Sequence, residues 1–281
     1  MLGGAMDALN RVESRAESLR LQYRLLSRRY LVAVVRSVDV SVRASPASCV
    51  TVYWGFGCLL DGEFELLGAW CQTRFDVTLS PELVADLGDR GVERIRYSVG
   101  TPLVGKGVER GVEFFGAAAL PSIAQAMAVT VALVAPRHRQ AVAGAFQTVV
   151  GASCSSSATD VLSDVEAGPW GKKYPQIVAL WRLALEHWRP LFDLPASPRR
   201  LVLAADRMAA EIQGSLERAI ARHGSFADSA EALEFVCAVL LRAERRLERA
   251  ATSAALAPRP YGALGMAASG KPLGSAVAGF I

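Results

Sequence analysis

One stretch of helical periodicity, rich in tryptophan, constrains the fold of this chain more than any other feature. Between Tyr174 and Trp188 the apolar residues recur at intervals of three and four, which places them on one face of a helix. The members of this apolar stripe are Tyr174, Ile177, Val178, Trp181, Leu185 and Trp188. Because proline lacks the N–H that a helix interior needs, Pro190 and Pro195 are predicted to end this helix.

A second buried helix is predicted to follow the stripe. It begins near Asp206, whose carboxylate can cap the first turn. Its predicted inner face carries Met208, Ile212, Leu216 and Ala219. Periodicity by itself therefore indicates two packed helices and leaves their function open.

Length and composition indicate a globular protein. The chain has 281 residues, of which 52% are apolar and 21% charged, enough for one large or two small domains with a proper core. The formal net charge is only +4, and most of the positive residues are arginine. Arginine binds phosphate in a bidentate fork, which suits nucleic acid, but a GC-rich genome also enriches arginine.

The cysteines indicate neither a zinc site nor a disulfide framework. They are Cys49, Cys58, Cys71, Cys154 and Cys237. No CxxC pair occurs, and no histidine lies at ligand spacing from any of them, so reduced thiols in a cytoplasmic protein are predicted. The residues after Met1 show no basic segment followed by an apolar run, so no secretory signal is expected.

Three strands followed by a helix and a fourth strand are predicted in the first part of the chain. The β-branched runs Leu31–Val42 and Val50–Leu60, with Phe64–Trp70, are typical of three successive antiparallel strands. A helix is predicted from Ser80, as a capping hydroxyl, to Asp89. Arg94–Val99 is the fourth predicted strand.

A helix ahead of these strands carries an apolar seam at alternating intervals of three and four. The seam consists of Leu9, Val12, Ala16, Leu19, Tyr23 and Leu26. It can form a homodimer contact through residues 9–26 or pack against its own domain, and with fewer than four heptads the second reading is favoured.

The segment from Phe114 to Pro136 contains no charged residue and is long enough to cross a membrane. It is interrupted by Pro121 and is rich in alanine and glycine, so a buried helix is the preferred interpretation. A helix followed by a loop is predicted over Gln140–Thr159. Asp228 and Glu231 are spaced as a capping box for a last helix, and residues 251–281 are predicted to be a disordered tail.

The blocks around the tryptophan stripe resemble those of the Mutator-type transposases of bacterial insertion sequences. The motifs are W-G-K-K-Y-P-x-I-x-x-x-W-R from Trp170, W-x-P-L-F-x-x-P from Trp188, the Arg199–Arg200 pair and G-S-F at 224–226. The blocks at 40–43, 57–70 and 86–95 also match the family's core, in the family's order. The resemblance covers roughly Tyr23 to Leu247.

The resemblance implies an α/β fold with an RNase H-like core, an all-α insertion and a helical C-terminal part. The expected division is an N-terminal amphipathic helix (1–30), a β/α core (31–135), a helical insertion (136–200) and C-terminal helices that complete the core (201–250), ahead of the tail. Complete members carry a helical DNA-binding region before the core, so the chain is expected to be truncated at its front.

In the resembled family, an Asp, a second Asp and a Glu hold two divalent metals, one activating the attacking oxygen and the other stabilising the leaving oxygen. The positions that match these carboxylates are Arg36, Thr101 and Ala210. No catalytic or metal-binding residue is therefore predicted, and no cofactor, although active relatives would use Mg²⁺. Three nearby carboxylates are weighed as substitutes, namely Asp39, Asp206 and Glu211.

DNA binding can outlive catalysis because phosphate contact needs only well-placed positive charge. The candidate DNA-binding residues are Lys172, Lys173, Arg182, Arg199, Arg200, Arg218 and Arg222, each of which can equally be a solvated surface residue. The expected function is that of a transposase-type protein that binds the double-stranded ends of an insertion element and is catalytically defective. The alternatives are a non-catalytic DNA-binding or dimerising regulator of related transposases, and a membrane-associated protein that uses 114–136.

Overall fold

A computed structural model describes residues 15–43, 49–72, 81–100 and 115–256. Within them lies one five-stranded sheet in the order β3-β2-β1-β4-β5. Its strands are β1 (Arg29–Ser41), β2 (Cys49–Cys58), β3 (Phe64–Gln72), β4 (Arg94–Val99) and β5 (Ala118–Leu120). Strands β1, β2 and β3 pair antiparallel, whereas β4 is parallel to β1 and β5 is parallel to β4.

The helices flank this sheet in sequence and dominate the C-terminal part. They are α1 (15–23), α2 (Pro81–Asp89), α3 (Ile123–Ala132), α4 (Arg139–Val150), α5 (Ser155–Ala167), α6 (Pro169–Lys173), α7 (Pro175–Phe192), α8 (Ala196–His223) and α9 (Ser229–Leu256), with a 3₁₀ turn at Pro136–His138. The predicted α/β class with a helical C-terminal part is confirmed. Contacts within the chain divide it into a unit of Met1–Glu244 and a unit of Arg245–Ile281.

The strands and the first helix of the core follow the sequence prediction closely. The three antiparallel strands, α2 and the Arg94–Val99 strand are all present. In central β1 the run from Leu31 to Val34 is buried at every position, as expected of a strand covered on both faces. Ser80 lies outside the described residues.

The tryptophan stripe forms the core of the helical part. All six of its members are buried, and Trp181 and Trp188 are fully so. The Phe146 ring of α4 packs edge-on against both indoles, with centroids 5.0 Å from Trp181 and 5.9 Å from Trp188. Each buried indole N–H also has an acceptor: Trp181 donates to the Thr130 hydroxyl at 2.8 Å, and Trp188 donates to the Pro121 carbonyl at 2.9 Å.

Two predicted boundaries in this stretch are wrong. Helix α7 continues through Pro190 to Phe192, because burial of Leu191 and Phe192 offsets one missing hydrogen bond in the last turn. Helix α8 begins at Ala196, so Asp206 lies in the middle of the helix and does not cap its start. The helix extends further towards its N-terminus because Val202 is buried there as well.

The uncharged segment 114–136 is not a single buried helix. Strand β5 ends at Leu120, and α3 begins at Ile123 after the Ser122 hydroxyl accepts the Gln125 N–H at 3.0 Å. Pro121 separates the two elements because it can donate to neither. In the described part of the chain, no helix combines the length and the apolar character needed to cross a membrane.

Two further segments differ from the sequence prediction, and one agrees with it. The serine run after Cys154 forms the first turn of α5, because Ala158 and Leu162 give it a buried face. Helix α9 runs to Leu256, past the predicted start of the tail, and the remainder of the tail lies outside the described residues. The capping box is confirmed: Asp228 accepts the Glu231 N–H at 2.9 Å, and the Glu231 carboxylate accepts the Ala227 N–H.

The described part of the N-terminal seam faces outward at three of its positions. Ala16, Leu19 and Tyr23 are exposed, Tyr23 at 76%, whereas Leu21 is buried at 1%. Helix α1 therefore packs on its own domain through a face other than the predicted seam. Leu26 is buried as predicted, and Leu9 and Val12 lie outside the described residues.

Candidate functional site

An ion pair joins the central strand β1 to the middle of helix α8. Arg36 stands on β1 opposite Trp54 of β2, and Asp206 projects from α8. Their Nη2 and Oδ1 atoms are 2.9 Å apart. The side chains are only 13% and 5% exposed, so this pair is largely removed from water.

Ser122 and the start of α3 complete the network around Asp206. The Ser122 hydroxyl donates to Asp206 Oδ1 at 2.6 Å and accepts from Arg36 Nη2 at 3.1 Å. The Ala124 N–H donates to Asp206 Oδ2 at 2.8 Å. Both carboxylate oxygens are thus occupied, and one side chain ties together β1, α3 and α8.

A second polar contact fixes the register of α8 against the sheet. Trp54 Nε1 donates to Gln213 Oε1 at 2.8 Å, and Gln213 Nε2 donates to the Ser37 carbonyl at 2.9 Å. Asp206, Ala210 and Gln213 follow one another at helical spacing, so they share the face of α8 that meets β1 and β2. Position 210 is therefore on the face of α8 that is turned towards the sheet.

The residues at this junction do not fit a divalent metal. Mg²⁺ requires oxygen ligands, but Arg36 offers only a positive guanidinium and Ala210 offers no donor. Two unit charges at about 4 Å repel by about 4 kcal/mol at an effective dielectric of about 20, and a divalent ion doubles that cost. Among the described residues, no three His, Cys, Asp or Glu side chains are grouped so that they could hold a metal ion. Thr101 lies outside the described residues.

The three substitute carboxylates behave differently. Asp206 is at the junction but is held by Arg36, Ser122 and the Ala124 N–H. Asp39 is exposed and accepts a hydrogen bond from the Thr51 hydroxyl at 2.7 Å. Glu211 is exposed on α8. None of the three therefore presents a free carboxylate beside Arg36.

The candidate DNA-binding cations occupy several elements and have different surroundings. Lys172 and Lys173 are exposed in the last turn of α6, and Arg182 pairs with Glu166 of α5. Arg199 is half-buried, and its Nη1 donates to the carbonyls of Ala152 and Ser153 at 3.1 and 3.0 Å, so it holds the α4–α5 connection against the start of α8.

The remaining three candidates, Arg200, Arg218 and Arg222, are exposed near the two ends of α8. At 1.5 Å per residue, Arg200 and Arg222 are separated by about 33 Å along the helix axis. The seven candidates therefore do not form one compact cluster.

Comparison with known protein families identifies the chain. The sequence model of the Mutator family of transposases matches residues 11–250. The chain belongs to this family. The resemblance inferred from the sequence motifs is thereby confirmed.

Three relatives show how much of a Mutator-family protein this chain represents. It is 27% identical over 199 residues to the transposase for insertion sequence element ISRM3 of Rhizobium meliloti, which covers 71% of this chain and 50% of the relative. Identity and coverage are the same for a probable transposase for an ISRM3-like element of Sinorhizobium fredii. It is 28% identical over 248 residues to a probable insertion sequence transposase of Corynebacterium diphtheriae, covering 85% and 69%. The chain spans about half the length of the first two relatives.

In this Mutator-family chain, sequence reasoning missed Ser122 of the Arg36 network and Gln213 of the second polar contact between α8 and the sheet. Ser122 follows Pro121 and precedes an apolar run, which is a detectable capping signal. Gln213 carried no such signal, because its contacts with Trp54 and Ser37 depend entirely on how α8 crosses the sheet.

Proposed function

We propose that this Mutator-family chain binds the double-stranded ends of an insertion element and does not carry out strand transfer itself. The observation that carries this proposal is the Arg36–Asp206 ion pair, a buried cation with its counter-ion in the place of a metal ligand. A protein of this kind acts in the cytoplasm, where it reaches the element's DNA.

The sheet supports an RNase H-like core. The resemblance implies an RNase H-like fold, and a meander of three antiparallel strands followed by alternating helix and strand suits it; the sheet has the order β3-β2-β1-β4-β5. In this reading α8 packs on the sheet as the core's C-terminal helix, and the helices within 136–200 are an insertion between β5 and α8. The carboxylates of active relatives would then come from β1, from the segment after β4 and from α8.

Loss of strand transfer follows from the chemistry of the three positions. Two-metal catalysis needs carboxylates that hold both ions and so stabilise the attacking and leaving oxygens. Arg36 reverses the charge at the first position, and Thr101 and Ala210 supply no carboxylate at the other two. No step of the reaction is therefore assigned to this chain.

The test of inactivity is a comparison with a restored variant. The purified chain is incubated with labelled duplex ends and Mg²⁺ or Mn²⁺, and we expect neither nicking nor strand transfer. The variant Arg36→Asp, Thr101→Asp and Ala210→Glu is titrated with Mn²⁺ by calorimetry, and we expect saturable binding that the parent chain lacks. Metal-dependent nicking by the parent chain would overturn the proposed inactivity.

A dimerising regulator is a second candidate function, and the outward-facing seam favours it. Leu19 is 44% exposed and Tyr23 is 76% exposed, on one face of α1. If a second copy covers this seam, Leu19→Ser with Tyr23→Ser lowers the molar mass measured by light scattering. Leu133→Ser with Leu183→Ser, at 46% and 47% exposure, is the matched control. Equal masses for parent and seam variant at high protein concentration would exclude this contact.

A further inference from the structure

Two basic segments, far apart in sequence, meet at one corner of the helical part. The 3₁₀ turn Pro136–His138 is held against the end of α6 by His138, whose Nδ1 lies 2.7 Å from the Tyr174 hydroxyl. The Ala135 N–H donates to the same hydroxyl at 3.4 Å. The His138 ring also packs on Trp170, with their centroids 5.3 Å apart.

The contact between His138 and Tyr174 places two positively charged surface segments side by side. It brings Arg137 and Arg139 to the same corner as Lys172 and Lys173, and all four residues are exposed. Within the described ranges of the chain, none of the four pairs with a carboxylate. Arg139 Nε donates to the Val134 carbonyl at 3.3 Å.

The direction of the His138 pKa shift is consistent with positive charge on both segments of this corner. Partial desolvation lowers the pKa of His138, and the nearby positive charges of Lys173 and Arg137 lower it further. No carboxylate contributes in the opposite direction. Arg137 and Lys173, which are distant in sequence, therefore both lower the pKa of the same histidine.

Unpaired cations that lie together repel one another, and this cost is relieved when a polyanion binds and releases its counter-ions. The other candidates are less available for that role. Arg182 is partly neutralised by Glu166, and Arg199 is committed to two backbone carbonyls. The corner thus combines exposed cations with a rigid aromatic support.

We infer that the basic corner, consisting of Arg137, His138, Arg139, Lys172 and Lys173, is the surface that holds the phosphate backbone of duplex DNA. This inference rests on the proposed DNA binding and adds the location of the contact. Contacts of this kind position the duplex and do not read its sequence. Arg137, His138 and Arg139 were not among the candidates that the sequence motifs indicated.

The experiment measures duplex affinity by fluorescence anisotropy over a range of salt concentrations, with the full chain and a labelled duplex. The corner variant replaces Arg137, Arg139, Lys172 and Lys173 by alanine. The slope of log affinity against log salt is expected to fall by about 3 to 4, because each lost phosphate contact removes about 0.9. Affinity near physiological salt falls by about tenfold or more.

The control variant removes the same charge elsewhere, at Arg20, Arg29, Arg94 and Arg189, which are all exposed. Both variants change the formal net charge from +4 to 0, since each loses four positive charges. The control is expected to keep most of the salt slope. If both variants lose affinity equally, the corner is not the contact surface, although DNA binding stands.

Further outcomes separate the two proposals. A parent chain that binds no duplex at any salt concentration overturns the proposed function and this inference together. Binding to vesicles containing phosphatidylserine, without binding to duplex, assigns the corner to a membrane surface and overturns the inference. Thermal unfolding verifies that the corner variant is folded, and Arg137→Ala with Lys173→Ala provides a milder version, with an expected slope change of about 2.

Discussion

Arg36 stands where the family resemblance implies a metal-binding carboxylate, and it belongs to a buried polar network. Its charge is balanced by Asp206, and both Asp206 oxygens are further hydrogen-bonded. Arg36 Nε, by contrast, is buried without a hydrogen-bond partner within the described residues. Such a network is costly to disturb because a buried charge that loses its partner keeps its desolvation penalty.

Replacing Asp206 with alanine is expected to lower the free energy of unfolding by about 3 kcal/mol, because Arg36 loses its counter-ion in a largely buried setting. Urea unfolding of the parent and variant chains measures this difference. The double variant Arg36→Met with Asp206→Leu is the control, and it is expected to lose less than Asp206→Ala alone. A larger loss in the double variant would contradict the role given to the unpaired arginine.

The cysteines are expected to differ sharply in reactivity. Hydrogen bonds from Ser156, from the Ser157 N–H and from Ser153 lower the pKa of the exposed Cys154 thiol. Burial raises the pKa of Cys58 to about 12 and also raises the pKa of Cys237. Because the thiolate is the reactive form, iodoacetamide near neutral pH should modify Cys154 before either buried thiol.

Peptide mass spectrometry over a time course measures this order of labelling. Cys154→Ser removes the labelling of its own peptide and serves as the control. Early labelling of Cys58 in the folded chain would show that its burial is lost in solution.

At the scale of elements, one carboxylate connects three parts of the core. Glu244 of α9 accepts from Arg24 at the end of α1 at 2.7 and 3.2 Å, and its Oε1 also accepts the Leu66 N–H of β3 at 3.2 Å. The Glu244 side chain is only 13% exposed. Glu244 therefore holds the residues that follow α1 against strand β3.

Glu244→Gln is expected to lower the free energy of unfolding by about 2 kcal/mol, because it removes a charge from hydrogen bonds that are largely shielded from water. Glu234→Gln is the matched control on the same helix: its partner Arg15 is 74% exposed, and such a surface pair contributes at most about 1 kcal/mol. Chemical denaturation of both variants measures the two losses. Equal losses would show that the Glu244 contacts are no stronger than a surface pair.

At the scale of the molecule, α8 is joined to the sheet by polar contacts rather than by apolar packing alone. Asp206 and Gln213 bring α8 onto β1 and β2. The contact that a metal could bridge in a catalytic relative is made here by Arg36 and Asp206. We therefore expect the stability of the chain not to depend on a divalent ion.

Addition of millimolar Mg²⁺ or of EDTA is expected to leave the melting temperature unchanged within about 2 °C, because a ligand stabilises only the state that binds it. Differential scanning calorimetry measures the shift. The variant with carboxylates restored at positions 36, 101 and 210 is the comparison, and Mn²⁺ should raise its melting temperature. A clear Mg²⁺-dependent rise in the parent chain would reveal a metal site that the described residues do not account for.

The family, the three antiparallel strands, the strand Arg94–Val99 and the buried tryptophan stripe could all be predicted from the sequence. These features depend on local information: β-branched runs, helical periodicity and ordered motif blocks are read directly along the chain. The family resemblance also predicts that Arg36 and Ala210 stand where active relatives carry metal-binding carboxylates. The errors of prediction from the sequence were concentrated at boundaries, as at Asp206, where a capping residue type was taken for the start of a helix.

The contacts between side chains that are distant in sequence became visible in the three-dimensional structure alone. Arg36 and Asp206 are far apart along the chain, and no local pattern pairs an arginine on a strand with an aspartate inside a helix. The corner that joins His138 to Tyr174 is likewise set by how the 3₁₀ turn packs against α6. The physical reason is that propensity and periodicity act over a few residues, whereas the partner of a buried charge is fixed by the crossing of whole elements.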